Sequence, residues 1–347
     1  MYAAIRAIEY HLPSRELSNE ELVKEFPSWD PAKVLAKTGI QRRWLAADGE
    51  CASDLAVAAA QRLFDSGVCR PDEVDFLILC TQSPDYALPT TACLAQDRLG
   101  VPRTAGALDI SLGCSGYVYG LSLAKGLIET GQAQNVLLLT GETYSKYMSP
   151  DDFNVRVLFG DGASATLIQG HEASGHGSGD WIGPFVFGTD GRGWSRLVVR
   201  GSGTRQDGGP ASSAADPQDG RTQRSGHLYM DGPEIFSFTL KAVPEAVFSL
   251  LKKANLDLAD IDWFGFHQAN EFMLEHLREK IRIPRDRFLY ALRDCGNTTS
   301  SSIPITLKQA TAAGQIEPGQ TLLLVGFGVG YSWAAALVRW RSPEARA

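Results

Sequence analysis

Two distant stretches of this chain carry the same pattern. AKGLIETGQAQNVLLLTGE (124–142) and LKQATAAGQIEPGQTLLLVGFG (307–328) each read as a helix closed by glycine and followed by an apolar strand. DEVDFLILCTQSP (72–84) and ADIDWFGFHQAN (259–270) repeat a second unit, and the two offsets, 183 and 187 residues, nearly agree. That spacing is too long for a solenoid repeat and fits a duplicated half-molecule. Each half must then fold alike, which constrains the chain more than any single motif does.

The runs VDFLILC (74–80), NVLLLTG (135–141), IDWFGFH (261–267) and TLLLVGFG (321–328) are short and largely apolar. Such runs predict strands covered on both faces. GYVYGLSLAKGLIETG (116–131) and EAVFSLLKKANL (245–256) have helical spacing between them. The alternation predicts an α/β fold. Residues 170–226 fit neither half, and 201–226 (GSGTRQDGGPASSAADPQDGRTQRSG) has no hydrophobic period. The chain therefore divides into a first half, 1–170, a Gly/Ser-rich and partly flexible excursion, 171–226, and a second half, 227–347.

Composition enters by exclusion. A net charge of −7 argues against general nucleic-acid binding, which needs a basic face. No apolar stretch approaches the roughly 20 residues of a membrane span. The opening MYAAIRAIEYHLP holds Arg6 and Glu9 and reads as a strand rather than a signal peptide, so the expected compartment is the cytosol. The six cysteines are scattered without a CxxC pair, as free thiols in a reducing compartment would be.

One of those cysteines stands out. In DISLGCSGYVYG (109–120), Cys114 sits between Gly113 and Gly116, which let another molecule approach the backbone. His267 follows the strand in FHQAN (266–270), and Asn297 precedes a Ser/Thr-rich helix start in CGNTTSSSIPI (295–305). Singly, each has a plain reading: a buried thiol, a satisfied core histidine, a helix cap. Together, Cys, His and Asn can supply a thiolate, hold a proton and donate hydrogen bonds to an oxyanion. The 183-residue offset carries Cys114 onto Asn297, which favours one shared site. LFGDGASA (158–165) lacks the Lys-Ser/Thr of a phosphate loop and reads as a turn feeding a strand.

DISLGCSG, HQAN, CGNTTSSSIPI, LFGDGASA and VGFGVGYSW (325–333) resemble, in order, the signature segments of the 3-oxoacyl-[acyl-carrier-protein] synthase III family of the thiolase superfamily. The resemblance runs from KTGIQRR (37–43) to the C-terminal strand. It implies a thiolase-like fold, two duplicated βαβαβαββ halves packed as a five-layer α-β-α-β-α sandwich. A thiolase would show a second cysteine in GFGVGYSW, and an elongating ketoacyl synthase would have histidine in place of Asn297.

The resemblance also implies a chemistry. Cys114, activated by the dipole of the helix it precedes, would take an acyl group from a thioester. Backbone N–H groups of Cys114 and Gly330 would form the oxyanion hole. His267 and Asn297 would donate to the thioester oxygen of a malonyl-carrier thioester as it loses CO₂, and the enolate would attack the acyl-cysteine. Acyl-CoA or acyl-carrier protein and malonyl-carrier protein would be substrates, with neither metal nor cofactor.

Members using acetyl-CoA clamp its adenine between a Trp and an Arg. Lys33 and Phe153 stand at those places, with Trp29 and Arg156 nearby. In YALPTTAC (86–93), which would close a partner subunit's tunnel in a homodimer, Leu88 replaces a frequent Phe. The basic residue expected after HQAN is Phe272, leaving Arg278, Lys280 and Arg282 to dock the carrier protein. The other functions compatible with these residues are acyl transfer to an alcohol or amine, cysteine hydrolysis, and a non-catalytic binding subunit.

Overall fold

A computed structural model of the chain describes residues 1–172, 182–205, 214–215, 222–223 and 225–341. Its strands are β1 (Tyr2–His11), β2 (Arg15–Ser18), β3 (Arg42–Leu45), β4 (Phe76–Cys80), β5 (Gly106–Ile110), β6 (Asn135–Glu142), β7 (Gly162–His171), β8 (Ile182–Thr189), β9 (Leu197–Val199), β10 (Ala214–Ala215), β11 (Thr222–Gln223), β12 (Leu228–Met230), β13 (Trp263–Phe266), β14 (Thr321–Gly328) and β15 (Ser332–Arg339). The α-helices are α1 (Asn19–Glu25), α2 (Pro31–Thr38), α3 (Ala52–Asp65), α4 (Thr91–Leu99), α5 (Gly116–Glu129), α6 (Phe153–Arg156), α7 (Gly232–Ala254), α8 (Glu271–Ile281) and α9 (Ser302–Ala312).

Two sheets carry the duplication. The first has the order β1-β7-β6-β4-β5, the second β8-β15-β14-β13. In each, a parallel pair (β4 with β6, β13 with β14) is followed by an antiparallel hairpin (β6 with β7, β14 with β15). Where the first sheet has the whole strand β5, the second has a single parallel bridge between Phe264 and Phe288.

Side-chain alternation along the central strands explains the layers. Val136 and Leu138 of β6, with Leu322 and Leu324 of β14, turn inward onto Tyr117, Leu121, Ile303 and Leu307 of α5 and α9. Leu137 and Leu139 turn the other way onto Leu55, Ala59 and Leu63 of α3, and Leu323 and Val325 onto Val243, Val247 and Leu250 of α7. The strands are apolar on both faces because both are covered, each buried leucine contributing about 1.5–3 kcal/mol. The result is the α-β-α-β-α sandwich, with α5 and α9 in its central layer.

The stretch expected to stand apart from both halves does not do so throughout. Ile182–Thr189 pairs antiparallel with β15 as the edge strand of the second sheet, and Leu197–Val199 pairs with Leu228–Met230. The second half thus begins by residue 182 rather than 227. Pro184 hid this strand in the sequence, but an edge strand tolerates a missing N–H. Most of the expected 201–226 excursion lies outside the described residues.

Candidate active site

The site forms where the second half's central strand crosses the first half's strand-to-helix turn. Cys114 lies four residues past β5 and two before α5. Gly326 and Gly328 of β14 run against it. A Cβ on Gly326 would stand 2.7 Å from Ser115 Cα, and one on Gly328 would stand 2.9 Å from Cys114 Sγ. The glycines of GFGVG therefore make room for the thiol turn. The backbone N–H groups that reach the sulfur are those of Cys114 and Val329. Gly330, expected to supply the second oxyanion donor, lies one residue further on, where Tyr331 and Asp190 exchange backbone hydrogen bonds.

The thiol's acidity also departs from expectation. Burial, followed by the Glu142 carboxylate, pushes Cys114 up to about 12. The two N–H groups pull the other way and are outweighed. At neutral pH the resting residue is a thiol, which must lose its proton as it attacks.

The second half brings two groups to the same place. His267 follows β13 and is buried, which holds its imidazole down to about 3 and therefore neutral. Its Nδ1 lies 2.8 Å from Ser302 Oγ, at the start of α9. That hydroxyl has a single proton and also lies 2.9 Å from the Thr299 carbonyl, so Nε2 is a donor when the proton is turned onto Nδ1 and an acceptor when it is turned onto Thr299. Asn297 Oδ1 accepts from Thr299 N at 2.9 Å, which fixes the carboxamide and turns its NH₂ away from Thr299.

Cys114, His267 and Asn297 line one cavity of about 280 Å³, walled by Phe159, Leu197, Met230, Phe236 and Phe327. A second cavity, of about 310 Å³, shares Leu158, Met230, Gly232 and Pro233 with it and reaches Trp29, Lys37 and Phe153. Trp29 and Phe153 are stacked on each other, centroids 4.2 Å apart and planes inclined by 18°, with Lys37 Nζ 4.7 Å from the Trp29 ring centroid. No third ring fits between them. Arg156 binds both oxygens of Glu25, at 2.7 and 2.9 Å, as well as the Pro150 carbonyl. Lys33 belongs to α2, on the far side of Trp29 in sequence, and Asp30 Oδ1 accepts from its backbone N–H at the helix start.

The remaining expected positions are peripheral. Leu88 is 83% exposed beside exposed Tyr86. Phe272 is exposed at the cavity mouth and stacks on Phe236. Glu275, Glu279 and the Ile283 carbonyl engage the guanidinium of Arg278. Lys280 and Arg282 are exposed. Sequence reasoning missed Val329, Ser302 and Glu142. A backbone donor leaves no side-chain signal, whereas the serine run 300–302 and the carboxylate closing NVLLLTGE were visible without being informative. Among the described residues, no group of three or more His, Cys, Asp or Glu is placed to hold a metal, and no helix is long and apolar enough to cross a membrane.

Comparison with known proteins places the chain in a family. Residues 108–191 match the model of the family described as 3-oxoacyl-[acyl-carrier-protein (ACP)] synthase III, and residues 251–340 match the model of its C-terminal part. A beta-ketoacyl-[acyl-carrier-protein] synthase III of Streptomyces coelicolor is 37% identical, over 95% of this chain and 94% of its own. A crystal structure of a 3-oxoacyl-(acyl-carrier-protein) synthase III superposes with a TM-score of 0.93 at 51% identity, covering 98% of this chain and 100% of the other. The 3-oxoacyl-(acyl-carrier protein) synthase of Burkholderia xenovorans LB400 gives 0.89 at 37%, covering 99% and 95%.

Proposed function

Because this chain belongs to the 3-oxoacyl-[acyl-carrier-protein] synthase III family and is a condensing enzyme of fatty-acid biosynthesis, we propose that Cys114 carries the acyl primer and that His267 and Asn297 hold the malonyl thioester. The observation that carries this reading is the single cavity onto which all three side chains open, one from the first half and two from the second.

In the first stage Cys114 Sγ attacks an acyl thioester carbonyl. The new C–S bond forms as the donor's C–S bond breaks, and the thiol proton leaves with the departing thiolate. The N–H groups of Cys114 and Val329, which approach the sulfur, would bind the intermediate oxyanion. In the second stage the malonyl C–CO₂ bond breaks, and its electron pair becomes an enolate. With the Ser302 hydroxyl turned onto Nδ1, Nε2–H of His267 and the NH₂ of Asn297 donate to the enolate oxygen. A neutral imidazole suits this, because it offers a donor without giving up a proton. The enolate carbon then attacks the acyl-cysteine, releasing a 3-oxoacyl thioester and the Cys114 thiolate. Acyl transfer to an alcohol or amine is not favoured, since it develops no enolate for Asn297 to stabilise.

The closed Trp29–Phe153 stack favours a carrier-borne primer over a nucleotide-bearing one. We further infer a homodimer formed along β5, whose outer edge pairs with no other strand among the described residues, close to exposed Tyr86 and Leu88. Intact-protein mass after mixing with acyl-CoAs and acyl-carrier proteins, and again after malonyl-carrier protein, tests the reading. An adduct on Cys114 that malonyl-carrier protein discharges as a 3-oxoacyl product is expected. An adduct that it leaves untouched would overturn the condensation step.

A further inference from the structure

The duplication pairs positions across the molecule, and one such pair lies outside the chemistry described above. β6 and β14 have equal length and equivalent register: Val136 faces Phe76 as Leu322 faces Trp263. Their last residues, Glu142 and Gly328, are therefore counterparts. So are the residues two before α5 and α9, which are Cys114 and Ser300. This shifts the correspondence drawn from the sequence, because the 3₁₀ turn Thr299–Ser301 leaves Asn297 three residues upstream of the thiol's counterpart. Gly328 closes on Cys114, and Glu142 closes on Ser300. One crossing holds a free thiol under a glycine; the other holds a hydroxyl bound to a carboxylate.

Glu142 is fully buried. It accepts from Ser300 Oγ at 3.1 Å, Ser83 Oγ at 3.0 Å and Gln82 N at 3.1 Å. The 299–302 turn it grips also orients both second-half donors, through Thr299 N to Asn297 and Ser302 Oγ to His267. Glu142 is not among the residues that line the cavity, so it is set back from the place where the chemistry would occur. We propose that Glu142 is a positioning residue: through Ser300 it fixes the 299–302 turn and so sets the donors that hold the malonyl oxygen. This rests on the condensing reading given above.

The titratable groups facing Glu142 are Cys80 at the end of β4, Cys114 before α5, and Tyr144 and Tyr147 in the turn after β6. No cationic side chain is among them. Burial holds the carboxyl up to about 8, so it gains its charge as pH rises through that value.

Two variants separate the tie from the charge. Ser300→Ala cuts the tie to the donors and leaves the charge in place. Glu142→Gln removes the charge and keeps a group able to accept from Gln82. Ser300→Ala is expected to slow CO₂ release from malonyl-carrier protein by about tenfold, with the pH profile of Cys114 alkylation by iodoacetamide unchanged. Glu142→Gln, whose carboxamide oxygen can still accept from Ser300 Oγ, is expected to retain most of that CO₂ release. A merely structural role would lower the melting temperature and depress both half-reactions together. Wild-type CO₂ release from Ser300→Ala would overturn the proposal. Absence of CO₂ release from the wild-type protein would instead remove the condensing reading.

Discussion

At two matching points in this molecule a central strand of one half meets the helix start of the other, and the halves treat that meeting oppositely. In one, a glycine leaves the thiol of Cys114 open to a cavity. In the other, Glu142 and its hydrogen bonds close over Ser300. The sheets diverge in the same sense: the first keeps a full fifth strand leading to Cys114, while the second reduces it to one bridge at Phe288. The freed chain then runs toward the first half, where Asn297 bridges to Phe159 and Arg293 accepts from the backbone of Gln41. Duplication thus supplied two equal frames. Specialisation kept a nucleophile in one and turned the other into a rigid mount for donors.

If that division is right, the half-reactions separate by mutation. Cys114→Ala should abolish the acyl adduct in intact-mass measurements, yet still release CO₂ from malonyl-carrier protein, since the donors sit in the other half. Loss of both activities in a folded variant would break the comparison. His267→Ala and Asn297→Ala should reverse the pattern, retaining the adduct while CO₂ release falls by about 10²–10³-fold, the usual cost of one oxyanion donor. Gly328→Ala probes the crossing itself. Its Cβ would displace the sulfur, and acylation should slow by about 10²-fold in stopped-flow assays, with CO₂ release changed less.

The smallest expected effect is thermodynamic. Burial holds His267 at about 3 against 6.5 for the free side chain, so the unfolded chain binds the extra proton between those values. Its contribution to stability is present above pH 6.5 and is lost as pH falls toward 3. Replacing His267 by Gln should flatten the dependence of melting temperature on pH across that window. An unchanged slope would show that other groups govern it.

How much of this the sequence disclosed depends on what kind of group did the work. Cys114 and His267 were legible because each follows an apolar run, and Asn297 because it stands before a Ser/Thr-rich helix start, although the repeat pairs Cys114 with Ser300. Val329 was not, since its contribution is a backbone N–H that any residue carries. Glu142 was hidden for a different reason: a charge closing an apolar strand ordinarily points to solvent, and only the packed halves show that this one faces Ser300. The one-half origin of β8 was masked by Gly183 and Pro184, and the exact correspondence of Cys114 with Ser300 by the unpredictable start of α9. Arg278 looked like a docking charge, and the fold pairs it with Glu275.

The protonated state of Cys114 has a consequence outside catalysis. Peroxides and disulfides attack thiolates, and an exposed, acidic cysteine is the form most easily oxidised. A nucleophile held at about 12, with 4% of its surface exposed, is a poor target for either. The burial that raises the barrier to losing its proton is also what lets the resting enzyme wait for substrate in the presence of oxidants.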